Sequence, residues 1–107
     1  MIVNAVPRML ARYGRAMTLR RRIGTGTTFN EATADGYLRA YSPEEITGGV
    51  MEGDARVILD AEPLTSLAPP RKGDFILIDG KTWSVLGAHA RMVTDNVAAY
   101  DLWVRGG

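Results

Sequence analysis

The sequence predicts a mostly β protein: an antiparallel β-barrel or sandwich of about six strands, with one N-terminal helix and long loops. Three observations carry this. Residues 74–90, "DFILIDGKTWSVLGAHA", set two β-rich runs around Asp-Gly-Lys, a strong hairpin pattern. Residues 97–106, "VAAYDLWVRG", alternate apolar and polar side chains over a whole strand length. From residue 16 onward the short runs lack the strand–helix–strand rhythm of a parallel sheet. A length of 107 residues argues for a single domain, with 1–15 as helix and 16–107 as barrel.

The elements follow in order. Residues 4–15 read as a helix. Asn4 is a candidate N-cap, and Pro7 lies in the first turn, where no N–H is required. Val3, Val6, Met9, Leu10 and Tyr13 fall on one side, and Arg8, Arg12 and Arg15 on the other. "AMTLRRRI" alternates next, with Met17, Leu19 and Ile23 on one face and Thr18, Arg20 and Arg22 on the other. Arg21 shares the apolar face, which points to an edge position or a bound acid. Residues 24–36 are rich in Gly and Thr and read as a mobile loop. "YLRAYS" reads as a strand. Residues 42–54 begin Ser-Pro, contain Gly-Gly and four acids, and read as a turn of helix followed by a loop. "ARVILDA", residues 55–61, is a strand, and "EPLTSLAPPRKG" a proline-rich connector.

In the hairpin, a two-residue turn places Ile76, Ile78, Trp83 and Val85 on one face and Phe75, Leu77 and Leu86 on the other. Both faces are apolar, which predicts a central position. In the last strand Ala98, Tyr100, Leu102 and Val104 face one way, and Asp101, Trp103 and Arg105 the other.

Composition bounds the function. Hydrophobic residues make up 46%, which argues against wholesale disorder. There is no cysteine, which excludes disulfides, thiolate metal sites and cysteine nucleophiles and suits a reducing compartment. The N-terminal segment lacks the uninterrupted apolar region of a signal peptide, and no apolar run approaches the ~20 residues of a membrane span. The net charge of +1 hides an asymmetry: residues 1–30 carry six arginines and no acid, and the remainder carries all 12 acids. Such polarity suits docking onto an opposite charge, whether nucleic acid, another protein or a second copy. The alternative is a solvated basic helix with no partner.

Tests for chemistry return little. His89 is the one histidine, without a partner pattern. The acids of 42–54 do not have the spacing of an EF-hand. Ser42, Ser66 and Ser84 lack the context of an activated nucleophile. Glu44 and Glu45 are adjacent acids at a Pro-initiated turn, a common solvated helix start. "RRRIGTGTTF" suggests a phosphate loop by composition, but it lacks the lysine and glycine spacing of one, and no helix pattern follows. A small nucleic-acid-binding barrel stays open, although Tyr37, Tyr41, Trp83 and Trp103 are interleaved with few basic residues. No enzyme signature, cofactor motif or metal-ligand set stands out.

Several stretches taken together resemble the small neck proteins of tailed bacteriophages and prophages, the head-closure, stopper or head–tail connector proteins. These are "MTLRR", "ADGYLRAYSPEEITGGVMEGDARVIL", "KGDFILIDGKTWSVLGAHAR" and "AAYDLWVRG", in that order over roughly residues 16–107. The core of the match is Gly73-Asp74-x-Ile76-x-Ile78-Asp79-Gly80-x-x-Trp83-x-Val85, followed by Val104-Arg105-Gly106. The resemblance implies an antiparallel β-barrel without enzymatic activity or cofactor. It implies a monomer in solution that assembles as a ring, typically a hexamer, between portal and tail. Such a ring closes the DNA channel and docks the tail. The resemblance also implies portal, adaptor and tail proteins as partners, non-specific contact with packaged DNA, no membrane, and a virion location after synthesis in the bacterial host cytoplasm. Tail-terminator or tail-completion proteins share related barrels and are the neighbouring reading. On this view Arg8, Arg12, Arg15, Arg20, Arg22, Glu44, Glu45 and Trp103 are the interface candidates, with Trp103 either anchoring a partner or packing under the N-terminal helix.

Overall fold

Alternation along the chain resolves into a closed antiparallel barrel in a computed structural model that describes residues 14–64, 67–93 and 95–106. The described strands are β1 (Arg15–Arg22), β2 (Phe29–Ala40), β3 (Asp54–Asp60), β4 (Phe75–Ile78), β5 (Lys81–Val93) and β6 (Asn96–Gly106). Around the barrel they run β1-β2-β3-β6-β5-β4, and β4 returns to β1. Closure gives every strand two paired neighbours, with β4 covering β5 only over Lys81–Ser84, so that the rest of β5 pairs with β6 alone.

Inward positions come from every strand. Met17, Leu19, Val57, Leu59, Ile76, Val85, Leu102 and Val104 are each at most 1% exposed. Burying a side chain of this size contributes roughly 1.5–3 kcal/mol, so these eight dominate the core. Ala98, Tyr100, Leu102 and Val104 all face inward, as the alternation in the last strand predicts. The connector after β3 adds a 3-10 turn at Glu62–Leu64, and its Leu64 and Leu67 pack on the core at one end. That end also carries the tips of the β1–β2 and β5–β6 hairpins. It is called the hairpin end below, and the opposite rim the loop end.

The β4–β5 turn matches its sequence pattern. Ile78 pairs with Lys81, leaving Asp79 and Gly80 as turn residues at φ 49° and 83°. Positive φ at both positions is the primed geometry that matches strand twist, and Asp-Gly supplies it at low cost. The hairpin is not sandwiched between layers as its two apolar faces predict. Ile76, Ile78 and Val85 fill the barrel, while Phe75, Leu77 and Leu86 are half-exposed on the outer wall. A closed barrel covers one face of each strand only.

Two other expectations change. The mobile loop placed at 24–36 is mostly strand. The turn is confined to residues 23–28, bridged by the Ile23 N–H donating to the Thr28 carbonyl at 2.9 Å. From Phe29 the chain pairs with β1, Arg22 opposite Phe29 through Arg15 opposite Gly36. The inward residues Ala32, Ala34 and Gly36 are small because large ones, Leu19 and Met17, fill the space from β1. A Cβ on Gly36 would lie 2.5 Å from the Met17 sulfur and 3.2 Å from the Ile58 carbonyl oxygen. The helix read over 4–15 lies outside the described residues except for its end. There Arg15 opens β1 rather than closing a helix, because its backbone is committed to the β2 ladder.

Candidate functional site

A groove of about 450 Å³ lies on the outer wall near the loop end, lined by Tyr41, Val50, Arg56, His89, Asp101 and Trp103 among others. Its floor is built by register. Arg56 pairs with Trp103, and Asp101 pairs with His89, so outward side chains of β3, β6 and β5 stand side by side. A bulge at Leu86 brings this about. Val85 opposes Val104 inside, and the next paired residue, Gly87, opposes Trp103 outside. One extra residue has moved the rest of β5 to the other face.

The roof is the segment between β2 and β3, and carboxylates pin it. Glu45 ends a 3-10 turn over Pro43–Glu45. Its carboxylate accepts from the Ser42 N–H and hydroxyl, both at 2.9 Å, and from the Arg39 guanidinium at 3.0 and 3.1 Å. These contacts, Arg39 first, pull the Glu45 carboxyl down to about 2. Asp54 anchors the other end. It accepts from Arg105 at 2.7 and 2.9 Å, from the Met51 N–H at 2.9 Å and from Trp103 Nε1 at 2.8 Å. The Arg105 fork is the main reason that Asp54 stays ionised far below the ordinary carboxylate range, against the cost of its burial. Arg56 crosses the floor, bonded to Asp101 and 3.5 Å from Glu45. Burial pushes the Tyr41 hydroxyl up. Glu45, Asp54 and Asp101 are therefore all engaged by arginines, and the site offers a firm, shaped surface more than a proton relay.

The interface candidates from the sequence scatter. Arg8 and Arg12 lie outside the described residues. Arg15 bonds the exposed Asp79 at 2.6 Å, and Arg20 bonds Glu31. Arg22 is exposed at the end of β1 and approaches Phe29, with no acid partner among the described residues. Arg21, whose place on the apolar face points to an edge position or a bound acid, has the acid: it donates to both Asp74 oxygens at 2.8 Å and to the carbonyls of Leu67 and Pro69. Among the described arginines of residues 1–30, Arg15, Arg20 and Arg21 each take an acid from the remainder of the chain. Glu44 is exposed beside Glu45. Trp103 donates its Nε1–H to Asp54 and forms the groove wall; the N-terminal helix, its alternative packing partner in the sequence reading, lies outside the described residues.

Sequence reasoning missed Tyr41, Arg39, Arg56, Asp54 and Asp101. The outward alternation of Asp101, Trp103 and Arg105 was visible, but their partners depend on register with β3, which no local pattern reports. Among the described residues no three His, Asp or Glu side chains converge as a metal site, and no helix is long and apolar enough to cross a membrane. No family model and no curated protein matches this sequence.

Proposed function

We propose that this chain is a structural subunit of a phage-type neck, forming a ring that closes the DNA channel between portal and tail. One observation chiefly supports the reading: most exposed large apolar side chains among the described residues lie at the two ends of the barrel. At the hairpin end Ile23, Met92 and Val97 are exposed; at the loop end Ile46 and Met51 are. Of the exposed large apolar side chains among the described residues, only Tyr37 lies elsewhere. Exposed apolar side chains at both ends offer contact points for a partner at each. A subunit stacked between two different assemblies needs two unlike docking ends, and a rigid barrel holds them at a fixed separation. The clamped 42–53 segment suits a preformed docking surface, ordered before assembly rather than by it.

The test is to label the chain in purified particles and image them. Label confined to a ring between capsid and tail supports the proposal. Label on the tail tip or inside the capsid, or a chain that never enters particles, overturns it.

A further inference from the structure

We infer that the outer wall of β4, β1 and β2 at the hairpin end is a docking strip for single-stranded nucleic acid. The inference does not depend on the neck reading. Register assembles here what the linear sequence keeps apart. Arg20 pairs with both Phe75 and Glu31, and Arg22 with Phe29, so all five side chains share one face. Phe29 and Phe75 meet edge to face with centroids 6.4 Å apart. The Arg20 guanidinium lies 4.8 Å from the Phe29 centroid and that of Arg22 5.7 Å. Both rings are half-exposed.

The charge beside the rings is mostly positive. Arg71 and Lys72 are exposed in the turn leading into β4, held against this end because the Arg71 N–H donates to Asp74, the same carboxylate that Arg21 grips. Arg20, Arg22, Arg71 and Lys72 meet the exposed carboxylate Glu31, while Asp74 is buried and already paired; Asp35 further along β2 and Glu62 in the turn packed on β2 are the exposed acids at its border. Arg22, Arg71 and Lys72 have no ion-pair partner among the described residues. Asp60 ends β3, the strand next to β2, and Asp101 lies one strand further, on β6.

Cations beside half-exposed aromatic rings suit a strand whose phosphates and unstacked bases are both available. A duplex offers its phosphates but keeps its bases stacked away from the rings. An acidic peptide would use the cations and leave the rings idle. The groove under 42–53 lacks this character, because its arginines are occupied by Glu45 and Asp101.

The experiment is fluorescence anisotropy of the full chain with a labelled oligothymidylate of about twenty nucleotides, titrated from about 50 mM salt upward. Binding should weaken with salt at a log–log slope of about −2, as expected for roughly three neutralised phosphates. R22A/R71A/K72A, all at exposed positions, should weaken binding at least ~10-fold with an unchanged circular dichroism spectrum. F29L, which keeps apolar packing and removes the aromatic face, should weaken it by about fivefold or more. Absence of binding at low salt, equal affinity for a duplex or for poly-glutamate, or a triple variant that binds like the unaltered chain would each overturn the proposal.

Discussion

Arg21 with Asp74 at the hairpin end, and Arg105 with Asp54 at the loop end, make the same fork-to-carboxylate contact in two settings. Both carboxylates are buried. The arginines differ: the Arg21 side chain is 18% exposed and that of Arg105 39%. Arg21 lies at an inward position of β1 and closes the barrel beside Leu64 and Leu67, with two carbonyls as further acceptors. Arg105 lies on the outer wall and ties the groove roof to β6. Water can therefore reach Arg105 when its carboxylate is lost, and reaches Arg21 far less. The contrast teaches that the setting of the arginine, more than that of the carboxylate, decides whether a pair supports the whole fold or one segment of it.

Removing Asp74 should have the largest effect. Asp74→Ala leaves the Arg21 guanidinium in a mostly buried site without its counter-charge and deletes the acceptor of the Arg71 N–H. A loss of about 3 kcal/mol or more in urea denaturation is expected. If the variant is too unstable to purify, the paired change Arg21→Met with Asp74→Leu tests the same point, and it should recover most of the loss. A loss below about 1 kcal/mol would show that the hairpin end is as well hydrated as the loop end.

Asp54→Asn should cost less globally, about 1 kcal/mol, because Arg105 can turn to water. Its effect should be local. Amide exchange ought to accelerate at Met51, whose N–H the carboxylate holds, and across the groove roof, while β1 and β4 keep their protection. Uniform acceleration over all strands would erase the distinction between fold-wide and segmental pairs.

Acid should reproduce that local loosening. Glu45 has its pKa lowered from 4.5 to about 2 in the folded chain, mainly by Arg39 and then by Ser42. A lowered folded-state value means that the stabilisation is fully present above the unfolded value and is lost as pH falls through the folded one. The roof should therefore loosen between about pH 4.5 and about pH 2, with Asp54 adding to the loss at the lowest pH. Trp103 fluorescence, compared with a Trp83→Phe background, follows this directly. In Glu45→Gln the part of the change above about pH 2 should disappear.

The legible parts of this fold are those where one side chain or one turn states its own requirement. Asp79-Gly80 specifies a primed turn whatever surrounds it. Ala98, Tyr100, Leu102 and Val104 declare their inner face by alternation. Arg21, placed among Met17 and Leu19, points to an edge position or a bound acid, and Asp74 is that acid. The parts that could not be read depend on a partner elsewhere in the chain. The first part of β2, up to Gly36, looked like loop because its inward residues Ala32, Ala34 and Gly36 are small, and they are small only because Leu19 and Met17 project from β1. The groove was hidden because the bulge at Leu86 and the pairing of Arg56 with Trp103 are set by register. The basic and aromatic residues of the hairpin end were all present in the sequence, yet Phe29 and Phe75 lie 46 positions apart and only barrel closure joins them.

The smallest effect is expected at Arg15, and it sharpens the comparison from the other side. Its contact with Asp79 is short, 2.6 Å, but the two side chains are 54% and 69% exposed. Water solvates both partners when they separate, and holding two long side chains together has an entropic cost, so a short distance here carries little free energy. Arg15→Ala should change stability by no more than about 0.5 kcal/mol and leave the turn at Asp79-Gly80 intact, since positive φ and not the ion pair fixes that turn. Thermal melts of the two chains side by side decide it. A loss comparable with that of Asp74→Ala would mean that contact distance outweighs solvent access in this barrel, against the reasoning that separates its two ends.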